Sequence, residues 1–253
     1  MSVGINLNTN NACNWRCVYC QVPSLVRGKP GHIDLNILES ELHQLLEDIK
    51  GGSFFENFVP AESRRLTDIA LSGNGEPTAS SQLTDILRLI ASVKEKLLKN
   101  EEVKTVLITN GSLLHSGKNP IALKNLAIQN GEVWFKLDRV TEKERKLVNN
   151  VNISLNRVRK NLELSTKSCP TWIQSCFFSL DGADPGELER SSYLGFLKEC
   201  VETSMGLAGV MIYNPSRDSH QPEAKRISPV GNQWILDICS DIKSIGLEVK
   251  FSS

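Results

Sequence analysis

Three of the seven cysteines, Cys13, Cys17 and Cys20, fall within eight residues as a Cys-x3-Cys-x2-Cys array, and the other four are scattered far downstream. Thiolates are soft ligands, so a tight group of them in one segment suits an iron-sulfur cluster or a soft metal ion. Three thiolates are one short of a closed four-thiolate site, and a centre left one ligand short can hold something exchangeable. Spacing alone leaves a zinc site open too, with His32 as a distant fourth ligand.

Further segments carry residues suited to a site. In Ser72-Gly73-Asn74-Gly75-Glu76-Pro77-Thr78, two glycines can bring backbone close to a ligand while Glu76 accepts from a cationic group. The same residues also suit a tight turn, as do Thr109-Asn110-Gly111. Lys136 and Asp138 put one charge of each sign at the end of an apolar run, a pattern that fits substrate contact or an ordinary surface pair.

These segments need elements to position them. The hydrophobic pattern alternates short β-rich runs with amphipathic helical stretches. Strands are expected over 3–7, 68–71, 105–108, 132–137, 172–180, 207–213 and 247–251. Asp34 caps a helix bearing Leu38, Leu42, Leu45, Leu46 and Ile49, and residues 51–66 read as an irregular connection. Leu83, Ile86, Ile90, Val93 and Leu97 mark a strong helix, while Leu123 and Leu126 mark a weaker one. Polar helical pieces run from Arg139 to Lys160, and another helix carries Leu188, Leu194, Leu197, Cys200 and Val201. Ser228-Pro229 is expected to open the last helix, with Trp234, Ile235, Ile238 and Ile242 on its buried face and Gly246 at its end.

Parallel strands need a crossover, usually a helix, so this alternation predicts an α/β fold, a partial (open) βα barrel with mainly parallel strands. One domain over residues 1–253 is expected. The chemistry-bearing segments all lie at or just beyond strand C-termini, the edge where loops converge and ligands bind in parallel βα architectures.

Composition fits a globular chain, with 40% hydrophobic and 23% charged residues and a formal net charge of zero. That charge gives no general signal for nucleic acid or membrane. An odd cysteine count without a secretory signal predicts a reducing, cytoplasmic setting. Arg139, Lys143, Arg145, Lys146, Arg157, Arg159 and Lys160 set seven positive charges against Glu142 and Glu144, which suits phosphate contact or a solvated helix face. Cys169, Cys176, Cys200 and Cys239 share no common spacing and read as buried small hydrophobes.

Taken together, the cysteine array with Tyr19 before its last cysteine, and Gly73-Asn74-Gly75-Glu76-Pro77 after the second strand, resemble the radical S-adenosylmethionine superfamily. "Ser-Gly-Asn-Gly-Glu-Pro-Thr", "Leu-Ile-Thr-Asn-Gly-Ser-Leu-Leu" and "Phe-Lys-Leu-Asp", in that order, are similar to a branch with wyosine-synthase-like iron-sulfur oxidoreductases and uncharacterised bacterial relatives. The resemblance implies a [4Fe-4S] cluster on Cys13, Cys17 and Cys20, with one iron open for S-adenosylmethionine (SAM). Tyr19 would then lie near the adenine, and Gly73, Asn74, Gly75 and Glu76 near the methionyl ammonium. Thr109 and Asn110 would approach the ribose or sulfonium, and Lys136 and Asp138 the substrate. Asn74 stands where the commoner form of the motif has glycine, and no second tight cysteine array is present.

The implied chemistry is reductive cleavage of SAM to a 5′-deoxyadenosyl radical that abstracts hydrogen from a substrate. The electron would come from a donor such as flavodoxin or ferredoxin. RNA or nucleotide modification is one substrate class. Modification of a protein or metabolite, including glycyl-radical activation, is a second, and a non-catalytic zinc module is a reading of another kind.

Overall fold

The computed structural model describes residues 1–99 and 101–252. Seven strands form one sheet: β1 (Ser2–Ile5), β2 (Asp68–Leu71), β3 (Lys104–Thr109), β4 (Gly131–Lys136), β5 (Thr171–Cys176), β6 (Gly209–Tyr213) and β7 (Val249–Ser252). They lie side by side in chain order, and every neighbouring pair is parallel. The sheet curls into an open half-barrel. This is the expected α/β architecture.

Eight helices are described: α1 (Leu35–Lys50), α2 (Ser53–Phe58), α3 (Leu83–Leu97), α4 (Asn119–Ile128), α5 (Glu142–Asn149), α6 (Leu155–Ser168), α7 (Glu187–Glu202) and α8 (Asn232–Ser244). The Asp34 carboxylate caps α1 by accepting from the Asn36 and Ile37 amides. Side chains alternate across a strand, so Val133 and Phe135 of β4 join the core while Glu132, Trp134 and Lys136 take the other face. Leu42, Leu46 and Ile49 of α1, and Ile86, Ile90 and Val93 of α3, are buried in the same core. Of the apolar residues expected to mark α7, Leu197 and Cys200 are buried together with Tyr193 and Phe196, while Leu188 and Val201 are exposed.

Three expectations about elements are corrected. The run 172–180 is not one strand. β5 stops at Cys176, Phe177 and Phe178 bury into two different clusters, and Ser179–Leu180 pairs antiparallel with Ile227–Ser228. That pairing holds Ser228 extended, so the last helix starts at Asn232 with Gly231 as its cap, not at Ser228-Pro229. The connection 51–66 contains α2, entered through Gly52 at a φ of 83°, a left-handed conformation that suits glycine.

The basic stretch also reads differently in three dimensions. Arg139 and Arg145 are only 3% and 1% exposed. The Arg145 guanidinium donates to the Ile153 and Val140 carbonyls and so staples the turn between α5 and α6. Arg159 pairs with Glu199 at 2.7 Å. Two of the seven cations are therefore internal struts and a third is paired with α7, which leaves Lys143, Lys146, Arg157 and Lys160 exposed.

Because Ile86 is fully buried between α3 and the sheet, Ile86→Ala should cost about 2–5 kcal/mol of stability. A chemical-denaturation curve checks this as a lower midpoint with an unchanged slope.

Candidate functional site

β1 delivers the chain directly into the cysteine segment. Ala12 and Cys13 pair with Val26 and Arg27, which closes residues 14–25 into a loop at the C-terminal rim of the sheet. Other segments then fix that loop. Asn6 Oδ1 accepts from the amides of Asn8 (2.9 Å) and Asn74 (3.0 Å), and Asn74 Nδ2 donates to Asn11 Oδ1. Asn14 is bonded to both Asn110 (2.9 Å) and Ser112 (2.8 Å) in the loop after β3. In the last turn of α5 the Val148 carbonyl accepts from Val18 N at 2.8 Å, and just past it Asn150 Nδ2 donates to the Arg16 carbonyl at 2.9 Å. Arg16 reaches both carboxylate oxygens of Glu223 at 2.8 Å, and Ser219 Oγ donates to the Val18 carbonyl. The loop is thus tied down from four sides.

Cys13, Cys17 and Cys20 all open on one cavity of about 370 Å³, a size within the range of small-ligand sites. All three are free thiols. Burial pushes the Cys13 thiol up to about 11 and the Cys17 thiol up to about 12, the nearby Asp138 charge adding to the latter; burial also raises Cys20. Any metal that binds must therefore displace protons from these thiols.

The Gly73-Asn74-Gly75-Glu76 turn forms the next wall. Gly75 has no room for a side chain: a Cβ there would stand 2.2 Å from the Ala12 carbonyl and 2.5 Å from Asn8 Nδ2. Glu76 is 2% exposed, and its carboxylate is held by the surrounding chain. Oε1 accepts from the Thr78 amide and hydroxyl and the Thr109 hydroxyl, while Oε2 accepts from Asn110 N at 2.7 Å. Burial raises its pKa and these donors pull it back. Oε2 keeps a free lone pair for a ligand donor.

The facing wall carries Lys136 and Asp138, and they are not a surface pair. Asp138 is 2% exposed; it accepts from Tyr19 OH (2.6 Å), Asn149 Nδ2 (2.8 Å) and Cys176 N (2.9 Å). Lys136 Nζ stands 4.0 Å from Asp138 Oδ1, bonds Tyr213 OH, and lies over the rings of Tyr19 and Tyr213. Arg139 braces the wall from behind. It donates to the Asp138 and Cys176 carbonyls, pairs with Glu189 and lies against Phe177 and Phe178.

Eleven of the twelve site residues expected from the sequence line this cavity. Thr109 does not; it sits one layer deeper, with its hydroxyl on Glu76. Sequence reasoning missed Asn149, which donates to both Cys17 Sγ (3.2 Å) and Asp138, and Tyr213, which bonds Lys136. It also missed Asn6, Asn8 and Asn14, which join the loops. The Asn149-Asn150 pair ending a helix was the available signal, since asparagine tolerates the left-handed backbone that Asn150 adopts (φ 53°).

The donor set fits an iron-sulfur cluster better than one zinc ion. Among the described residues, no group of three His, Cys, Asp or Glu side chains gathers closely enough to hold a single metal ion, and His32 is exposed. A multi-iron cluster takes its thiolates at separate corners, so they need not meet at a point. A parallel half-barrel with three free thiols opening on a cavity at its C-terminal rim defines a βα-barrel protein built for a soft metal centre.

The Radical SAM superfamily model matches residues 7–182, and the chain belongs to that superfamily. Its members bind a [4Fe-4S] cluster and SAM. A UPF0026 protein of Helicobacter pylori (strain J99) is 32% identical over 143 residues, covering 55% of this chain and 39% of that protein. The chain thus spans about two-fifths of the length of these curated relatives. Streptococcus suis SuiB bound to S-adenosylmethionine shares the fold with a TM-score of 0.65 and 13% identity, covering 99% of this chain and 49% of that one. TYW1 with a lysine-pyruvate adduct bound gives 0.59 and 12%, covering 92% and 70%. Among the described residues, no helix is long and apolar enough to cross a membrane.

Gly75→Ala must displace the Ala12 carbonyl or Asn8, so it should cost about 1–3 kcal/mol as an overpacking change and disturb the cysteine loop. A lower melting temperature, with less iron taken up on anaerobic reconstitution, is the expected pair of readings.

Proposed function

We propose that Cys13, Cys17 and Cys20 hold the [4Fe-4S] cluster and that the adjoining cavity holds SAM, making the chain a radical enzyme that removes hydrogen from a substrate. The observation that carries this reading is the opening of all three free thiols on the same cavity as the Gly73–Glu76 turn. With both groups bound, the reduced cluster supplies the electron that cleaves SAM to methionine and a 5′-deoxyadenosyl radical.

This chain's own residues bind and orient. The backbone at Asn74 and Gly75, with the free lone pair on Glu76 Oε2, meets the methionyl ammonium, and Thr78, Thr109 and Asn110 keep that carboxylate in place. Tyr19, fixed by its bond to Asp138, presents its ring to the adenine side. Lys136 and Tyr213 face the substrate from the opposite wall. The electron donor in this reading is a flavodoxin or ferredoxin, and the setting is cytoplasmic.

A second cavity, of about 470 Å³, shares Gln174 and Tyr213 with the first and is where the substrate enters. Its charges are matched within the protein, Glu132 with Lys104 and Lys250 with Glu248. A neutral, hydrogen-bonding group suits it, and the indole of Trp134 adds a flat apolar surface. An RNA base or nucleotide meets that description and is our first reading. The exposed edge strand β7 favours a second, a peptide added along it, as in modification of a protein.

Anaerobic reconstitution followed by reduction in the presence of SAM should yield a brown protein that releases 5′-deoxyadenosine. Cys13→Ala, Cys17→Ala and Cys20→Ala should each abolish that release. Absence of a cluster and of product in the wild type, beside an active homologue treated identically, would refute the assignment.

A further inference from the structure

We infer that Asn149 tunes the reduction potential of the cluster by donating its side-chain N–H to the sulfur of Cys17. The inference rests on the assignment of Cys17 as a cluster ligand made above.

Asn149 is the last residue of α5 and is 1% exposed. Its Nδ2 lies 3.2 Å from Cys17 Sγ and 2.8 Å from Asp138 Oδ2. The orientation of the amide follows from chemistry: an ionised carboxylate only accepts, so the atom facing Asp138 is the NH2 group. A primary amide carries two N–H bonds, one for the carboxylate and one for the sulfur.

The backbone on either side keeps this geometry from drifting. Asn149 O accepts from Arg16 N, Val148 O accepts from Val18 N, and Asn150 Nδ2 donates to Arg16 O. These three bonds flank Cys17 in sequence, so the end of α5 and the cysteine loop move as one unit. The N–H donor to Cys13 Sγ is the backbone of Trp15 at 3.4 Å, which substitution cannot remove. At Cys17 the donor is a side chain.

Adding an electron to an iron-sulfur cluster places more negative charge on its sulfurs, and hydrogen bonds to those sulfurs are one of the factors that set the potential. A donor stabilises the reduced state more than the oxidised one and so raises the potential. Asn149 does this while standing between the sulfur and the buried Asp138 carboxylate. Without the amide, two negative groups face each other with no donor between them. Both effects act in the same direction. Asn149 is thus a positioning residue for the electron-transfer step, not a contact for SAM or substrate.

The test is an anaerobic redox titration of the reconstituted holoprotein, read by the electron paramagnetic resonance signal of the reduced cluster, with iron and sulfide counted in each sample. Asn149→Leu keeps the side-chain size and removes the donor. The expected result is a lower midpoint potential, about tenfold in the one-electron equilibrium or about 59 mV. Asn149→Ala leaves room for a water whose O–H can stand in for the amide, so its midpoint should fall between leucine and wild type.

If the leucine variant takes up no cluster, the alanine variant decides, and a midpoint below wild type supports the inference. A purely structural role would instead lower cluster content and leave the potential of the remaining clusters unchanged; that result overturns it. So does an upward shift in either variant. A wild type that takes up no cluster removes the proposed function and this inference together, whereas a normal wild-type cluster with unshifted variants removes this inference alone.

Discussion

The Asp138 carboxylate sits where three parts of the chain must meet, and it is buried. A buried charge is tolerated only when donors surround it, and here they come from Tyr19 in the cysteine loop, Asn149 at the end of α5 and the Cys176 amide at the end of β5. One residue just beyond β4 thereby fixes the loop that bears the thiols, the helix end that supports it and the point where β5 must stop. Arg139 braces the backbone from behind by holding the Asp138 and Cys176 carbonyls, its own charge paired with Glu189. Removing the carboxylate would leave several buried donors unpaired at once.

Glu76 does the same work on the other side of the cavity. It joins the turn after β2 to the end of β3, and Asn110 carries the connection on to Asn14 between Cys13 and Cys17. The two carboxylates anchor opposite walls, and the thiols lie between them. Lys136 is the cation within this frame, and Tyr213 and two aromatic faces hold it in place. The frame is made of buried polar contacts rather than apolar packing, so its parts depend on one another more than a hydrophobic wall would require.

Much of this was legible in the sequence. The helical and strand periods place all seven strands near their observed positions, and the clustering of the cysteines, the glycine turn and Lys136 with Asp138 at strand C-termini puts them on one rim. The failures have physical causes. The run 172–180 is continuously apolar, and periodicity does not reveal that Phe177 and Phe178 turn to different clusters. The cluster of cations in 139–160 looked like a surface because charge in sequence says nothing of burial; Arg139 and Arg145 are internal because carbonyls and Glu189 are there to receive them. The role of Asn149 was hidden for a related reason, although the Asn149-Asn150 pair marks a helix end. Its partners are Cys17 and Asp138, and only the folded chain brings all three together.

In the proposed function the three-thiol site holds a four-iron cluster with one iron left for SAM. Mössbauer spectra of the reconstituted protein, prepared with isotopically enriched iron and recorded before and after adding SAM, test it most directly. One iron in four should change its signal when SAM is added while the other three stay as they were. Four irons that respond alike, or a spectrum indifferent to SAM, would contradict it.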